Sequence, residues 1–154
     1  MSLPQRPVVR QQVVREYLYS FVAVCPFDGQ FSCLTLPWAD AGTMSIFLEH
    51  TAHEFDGEFC LMFLDGAGWH QANDLKVPST IRLLPLPAYS PELNPVEHLW
   101  DHLRENDFGN DVLESLEDVG NRLGYGLRRL AADPVLVKGL TCFDWINTIR
   151  MTSN

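Results

Sequence analysis

The chain has 154 residues, 46% of them hydrophobic, and a net charge of −9, which provides for one domain with a sizeable core and for no separate second domain. The acidity opposes unaided binding to a phosphate backbone, whose affinity for proteins rests on Lys and Arg. The absence of any run of about 18 apolar residues and of a basic-then-apolar leader argues against a membrane span or a signal peptide. Residues 1–15 form a basic N-terminal segment with Arg6, Arg10 and Arg15 and no acid, so the remainder, 16–154, carries the whole acidic excess. Glu16–Cys25 and Gln30–Leu36 read as strands of a hairpin with Asp28-Gly29 as the turn. Thr43–Phe55 reads as an amphipathic helix, because Met44, Phe47, Leu48 and Thr51 recur at helical spacing and Thr43 or Gly42 can cap it.

Glu58 to His70 reads EFCLMFLDGAGWH, an apolar run ending in Asp65 and then glycines, the pattern of a buried strand that delivers a carboxylate at its C-terminal end. Ile81–Leu84 is a further short strand. Leu83 to Trp100 reads LLPLPAYSPELNPVEHLW. Pro85, Pro87 and Pro91 forbid helix there, whereas Asn94 can serve as N-cap and Pro95 as first helical residue. A helix therefore starts at a defined place with Glu97 in its first turn. A long helix is expected from Val112 to Leu130, with Leu116, Val119, Leu123, Leu127 and Leu130 on one face and Asp111 with Glu114 as a capping box. Asp133-Pro134 opens a final helix containing Phe143, Trp145 and Ile146. Strands first and helices later fit an α/β layer fold.

Four cysteines, Cys25, Cys33, Cys60 and Cys142, lie scattered in apolar surroundings without Cys-x-x-Cys spacing. Buried reduced thiols are the expected state, and with them a cytoplasmic location.

The Asp65 segment and the proline-rich block together resemble the catalytic domain of DDE transposases, in particular the mariner-like group of bacterial insertion sequences. The family pattern is an aspartate closing a strand, a following histidine, an LPPYSPELNPIEHLW-like block and a glutamate just over thirty residues after the aspartate. Asp65, His70 and Glu97 match, with 31 residues between the two carboxylates. The chain departs at Gly66, where the family usually has asparagine, and at Leu86-Pro87-Ala88-Tyr89, which replaces LPPY. The resemblance implies an RNase H-like mixed sheet flanked by helices, and Mg²⁺ or Mn²⁺ held by Asp65 and Glu97, with His70 and Arg104 as accessory residues. It implies DNA transposition and integration, by metal-dependent strand cleavage and strand transfer at transposon ends. Carboxylates suit Mg²⁺, which prefers oxygen ligands and is often held by one or two of them plus a substrate phosphate.

The family uses three acidic residues, the first on the opening strand of the sheet. This chain is expected to start after that strand, so the first catalytic Asp is absent. Asp28, in a hairpin turn, and Asp40, in a loop, are poor replacements. The expectation is an incomplete catalytic domain, inactive alone, holding its ions weakly and binding DNA weakly. An upstream transposase half would supply the rest, including the helix-turn-helix modules that bind DNA in the family. The missing strand would lie centrally, so its loss is expected to be met by direct re-pairing of the flanking strands or by a segment such as Val8–Val14, from the same chain or from the second copy in a swapped homodimer.

Each candidate also has a structural reading. Glu97 can sit at N3 of an Asn94-initiated capping box, Asp65 can be a turn residue, and His70 can be a hydrogen-bonding loop residue. Arg104 can simply pair with Asp101. His98-Leu99-Trp100-Asp101-His102 approximates an H-x-x-E-H zinc-hydrolase pattern, but those histidines point away from the apolar stripe and no third ligand is placed. A transposase remnant that acts only as a folding or interaction module is the remaining alternative.

Overall fold

The computed structural model describes residues 17–65, 74–88, 90–109 and 113–151. Strands β1 (Tyr19–Val24) and β2 (Phe31–Leu36) form an antiparallel hairpin, with Phe21 opposite Leu34 and Val22 opposite Cys33. The turn is the expected one. Gly29 has φ 79°, the left-handed region that favours glycine, and the Asp28 carboxylate accepts from the Gln30 amide at 2.9 Å. Gly29 also packs so closely that a Cβ there would overlap the Pro134 carbonyl.

Helix α1 (Ala41–Glu54) follows, and strands β3 (Cys60–Leu64) and β4 (Ile81–Pro85) then pair in parallel. Helix α2 (Val96–Leu103) runs into a wider π turn over Arg104–Phe108, and α3 (Leu116–Ala131), α4 (Pro134–Thr141) and α5 (Asp144–Met151) complete the order. The result is a mixed α/β arrangement, as the sequence predicts.

The alternation of β1 and β2 explains the layering, because successive side chains leave opposite faces of a strand. On one face Phe21, Ala23, Leu34 and Leu36 join Met44, Phe47 and Leu48 of α1. On the other, Val22, Val24, Phe31 and Cys33 pack against Leu99 and Leu103 of α2, Leu127 and Leu130 of α3, and Val137 of α4. Cys60, Met62, Ile81 and Leu83 of the parallel pair belong to the α1 core, so hairpin and parallel pair share one apolar centre. A buried hydroxyl pair, Ser32 with Thr51 at 3.1 Å, ties β2 to α1 within it.

Several expectations need correction. β1 and β3 do not pair with each other, so direct re-pairing does not occur: each two-stranded unit is fixed by its own ladder and by α1. Val8–Val14 lies outside the described residues. β3 is not buried on both sides, since Leu61 and Phe63 are 56% and 44% exposed while Cys60 and Met62 face α1. Helix α1 is capped by Asp40, not by Thr43 or Gly42. The Asp40 carboxylate accepts from the Thr43 amide at 2.8 Å and the Asp40 amide donates to the Thr43 hydroxyl at 3.0 Å, a full capping box.

Helix α3 starts later than expected because Ser115 caps it, accepting from the Asp118 amide and donating to the Asp118 carboxylate. Glu114 precedes that cap, and Asp111 lies outside the described residues. The final helix is two helices. Backbone at Cys142 (φ −81°, ψ 81°) leaves the helical region, and the Phe143 carbonyl then accepts from the Ile146 and Asn147 amides to start α5. All four cysteines are free thiols, but half-buried, not fully buried. No helix among the described residues is long and apolar enough to cross a membrane.

Candidate active site

The parallel pair sets Asp65 and the start of the connection that leads to Glu97 on a common frame. Leu64, the last residue of β3, stands opposite Pro85, the last of β4, and the Leu86 amide donates to the Leu64 carbonyl at 2.7 Å. Asp65 and the proline-rich connection therefore leave the same edge of the sheet, the carboxyl end where open α/β folds place their ligands. Asp65 is exposed. Past Leu86, a single 3₁₀ turn over Pro91–Leu93 leads into α2. The Asn94 side chain accepts from the Val96 amide at 3.2 Å, so Asn94 provides the cap that the sequence predicts, although helical geometry is first counted from Val96.

Glu97 lies in the first turn of α2 and is half-buried. Its carboxylate makes no hydrogen bond or ion pair among the described residues, so the reciprocal half of a capping box with Asn94 is not formed. Buried stripe residues Leu99 and Leu103 anchor the helix beneath it. Arg104 pairs with Asp101, as helical spacing predicts. His70 and Gly66 lie outside the described residues.

The two histidines of the zinc-like pattern are occupied with packing. The His98 Nδ1–H donates to the Leu140 carbonyl at 3.2 Å and the ring meets Phe143 edge-on with centroids 4.7 Å apart. His102 accepts from the Asn106 side chain at 3.3 Å through Nδ1. Among the described residues no three His, Cys, Asp or Glu side chains form a metal-holding group.

Other upstream acids serve local roles. Burial works against ionisation of Asp28, but hydrogen bonds from Gln30 and Cys25 hold its carboxyl below the ordinary value. Hydrogen bonds from the Thr43 amide and hydroxyl do the same for Asp40. Asp56, which the sequence reading did not single out, is an exposed turn residue after α1.

A further acid is held inside the fold. Asp107 is buried in the π turn after α2, and its carboxylate accepts from the Arg129 guanidinium at 2.8 Å. Its spacing from Leu99 and Leu103, four residues each time, was the available signal: an acid in line with a buried stripe needs a buried partner. An open cleft of about 730 Å³ lined by Tyr17, Tyr19, Trp38, Leu116, Gly120 and Asn121 contains neither Asp65 nor Glu97.

Against this geometry, residues 4–119 match the family of DDE superfamily endonucleases. The chain belongs to the DDE superfamily of endonucleases. It is also 35% identical over 130 residues, 84% of this chain and 96% of the other, to an uncharacterized protein, y4pE/y4sA, of Sinorhizobium fredii (strain NBRC 101917 / NGR234). No solved structure matches it. Asp65 and Glu97 both fall within the stretch that matches the DDE endonucleases, whereas α4 and α5 lie beyond it.

Proposed function

We propose that this DDE endonuclease is the RNase H-like catalytic part of a transposase, that its substrate is DNA at transposon ends, and that Asp65 and Glu97 are its metal-binding carboxylates. The observation that carries the reading is the state of Glu97. It is half-buried at a helix start, where a glutamate ordinarily completes a cap, yet its oxygens engage no protein donor among the described residues. A half-buried carboxylate left without a protein donor has its oxygens open to a cation. Asp65, at the end of β3, adds a second set of hard oxygen donors. Oxygen donors of this kind fit Mg²⁺ or Mn²⁺.

When bound, the ions supply charge stabilisation for the attacking and leaving oxygens of phosphodiester displacement. The chain's own share is to hold oxygen donors on rigid elements: β3 fixes Asp65 through its ladder with β4, and α2 fixes Glu97 through Leu99 and Leu103. The α2 N-terminus adds a favourable dipole toward anionic oxygen. Arg104, in its pair with Asp101, and His70 are the accessory groups in this reading. Asp28 and Asp40 are engaged locally and complete no set of three carboxylates among the described residues, so in this reading the polypeptide by itself is inactive.

The test is thermal melting with and without millimolar Mn²⁺, since a ligand that binds only the folded state raises its stability. The unmodified chain melts higher with Mn²⁺, and Asp65→Asn and Glu97→Gln gain less. Superimposable melts of the unmodified chain would remove the metal site. The second reading, a folding or interaction module without turnover, is favoured by the net charge of −9 and by the lack of a three-ligand group among the described residues. It predicts those superimposable melts.

A further inference from the structure

The junction between α4 and α5 touches both arms of the candidate site. From α2, His98 is the residue next to Glu97, and it is held twice by that junction: its Nδ1–H donates to the Leu140 carbonyl at 3.2 Å, and its ring meets Phe143 at 4.7 Å. From β3, Phe63 lies two positions before Asp65 and meets Trp145 edge-on with centroids 6.2 Å apart. Phe143 and Trp145 are themselves rigidly spaced, because the Phe143 carbonyl starts α5 by accepting from Ile146 and Asn147, and Ile146 is buried. Cys142 adds a thiol hydrogen bond to Asn147 across the same turn. The turn and the start of α5 therefore grip the residue next to Glu97 and the residue two positions before Asp65.

We propose that Phe143 and Trp145 are positioning residues that set the separation of Asp65 and Glu97, although they lie outside the stretch that matches the DDE endonucleases. This role rests on the metal-site reading above. Aromatic edge contacts are directional as well as adhesive, so they fix where a strand end and a helix start stand relative to one another. Groups that orient metal ligands by hydrogen bonding commonly change metal affinity by about 10-fold to 100-fold when altered, and an effect at the lower end is expected of groups that orient them by packing.

The experiment compares Phe143→Ala, Trp145→Ala and Trp145→Phe with Ser115→Ala, which removes the hydroxyl that caps α3, an element belonging to neither arm. Two readouts are taken on the full chain: amide hydrogen exchange without metal, and the Mn²⁺ concentration giving half of the melting-temperature rise. The expected result is faster exchange at Phe63–Leu64 in Trp145→Ala and at Glu97–His98 in Phe143→Ala. Both variants should need about tenfold more Mn²⁺. Trp145→Phe restores the unmodified value, and Ser115→Ala lowers the melting temperature without moving the Mn²⁺ midpoint.

Unchanged midpoints in folded alanine variants, beside an unmodified chain that does respond to Mn²⁺, would overturn the positioning role and leave the metal site standing. No Mn²⁺ response in the unmodified chain overturns both. Should an alanine variant not fold, Phe143→Leu and Trp145→Leu, which keep apolar volume and lose the ring edge, are read in its place against the same limits.

Discussion

Asp107 and Arg129 join the end of α2 to α3 through an ion pair of 2.8 Å in which the aspartate side chain is only 4% exposed. Arg122 supports the same turn by donating to the Asp107 carbonyl at 3.1 Å. Gly126 is what lets α3 approach, since a Cβ there would come within 2.9 Å of an Asp107 oxygen. Removing Arg129 leaves a buried carboxylate short of a partner. Because Arg129 is 41% exposed, water relieves part of that cost, and Arg129→Met should lose about 1–3 kcal/mol in urea denaturation. A variant within a few tenths of the unmodified stability would show that Asp107 needs no such partner.

The two ends of the Asn94–Glu97 turn make opposite demands on stability. The Asn94 side chain caps the Val96 amide, so Asn94→Ala should cost on the order of 1 kcal/mol. The Glu97 carboxylate caps nothing among the described residues, so Glu97→Gln should stay within about 0.5 kcal/mol without metal, losing only a helix-dipole contribution. A larger loss for Glu97→Gln than for Asn94→Ala in chemical denaturation would make Glu97 a structural residue.

Acid should weaken the start of α1. Hydrogen bonds from Thr43 lower the Asp40 pKa in the folded chain, so the folded state binds its proton less readily than the unfolded state. That contribution is fully present above the unfolded value, near 3.9, and is lost as pH falls through the lower folded value. Melting measured from pH 6 to pH 2 should therefore fall less steeply for Asp40→Asn than for the unmodified chain. Equal slopes would mean that the cap contributes nothing through its charge.

How much of this was legible in sequence depended on whether the signal was local. The Asp28-Gly29 hairpin, the Asn94 cap and the Asp133-Pro134 helix start were readable because each is set within a few residues. The exposure of Leu61 and Phe63 was not, because an apolar run does not reveal whether both faces of a strand will be covered. The break at Cys142-Phe143 was also hidden, since no proline or glycine marks it and the chain turns there to place Phe143 against His98. The motif alone singles out Asp65 and Glu97, and what the fold adds is that Asp65 and the connection leading to Glu97 leave one end of the parallel pair. Asp107 was missed because its partner, Arg129, lies 22 residues away.

The 154-residue polypeptide, purified alone, should not nick supercoiled DNA with Mg²⁺ or Mn²⁺, because Asp28 and Asp40 are engaged locally and no third carboxylate joins Asp65 and Glu97 among the described residues. Conversion of supercoiled to nicked circles is the measurement. Robust nicking abolished by Asp65→Ala would require a third ligand within this chain, at the expense of the local roles of Asp28 or Asp40.

The central claim, that Asp65 and Glu97 converge on a divalent-ion site, is tested most directly by letting an ion report its own position. Fe²⁺ exchanged into a Mg²⁺ site generates hydroxyl radicals with ascorbate and peroxide, and these cut the backbone beside the ligands. The account predicts cuts near Asp65 and near Glu97 in the same preparation, suppressed by excess Mg²⁺ and weakened at both places by Asp65→Asn or Glu97→Gln. Cutting at only one of the two places, or a pattern that neither substitution changes, would contradict it.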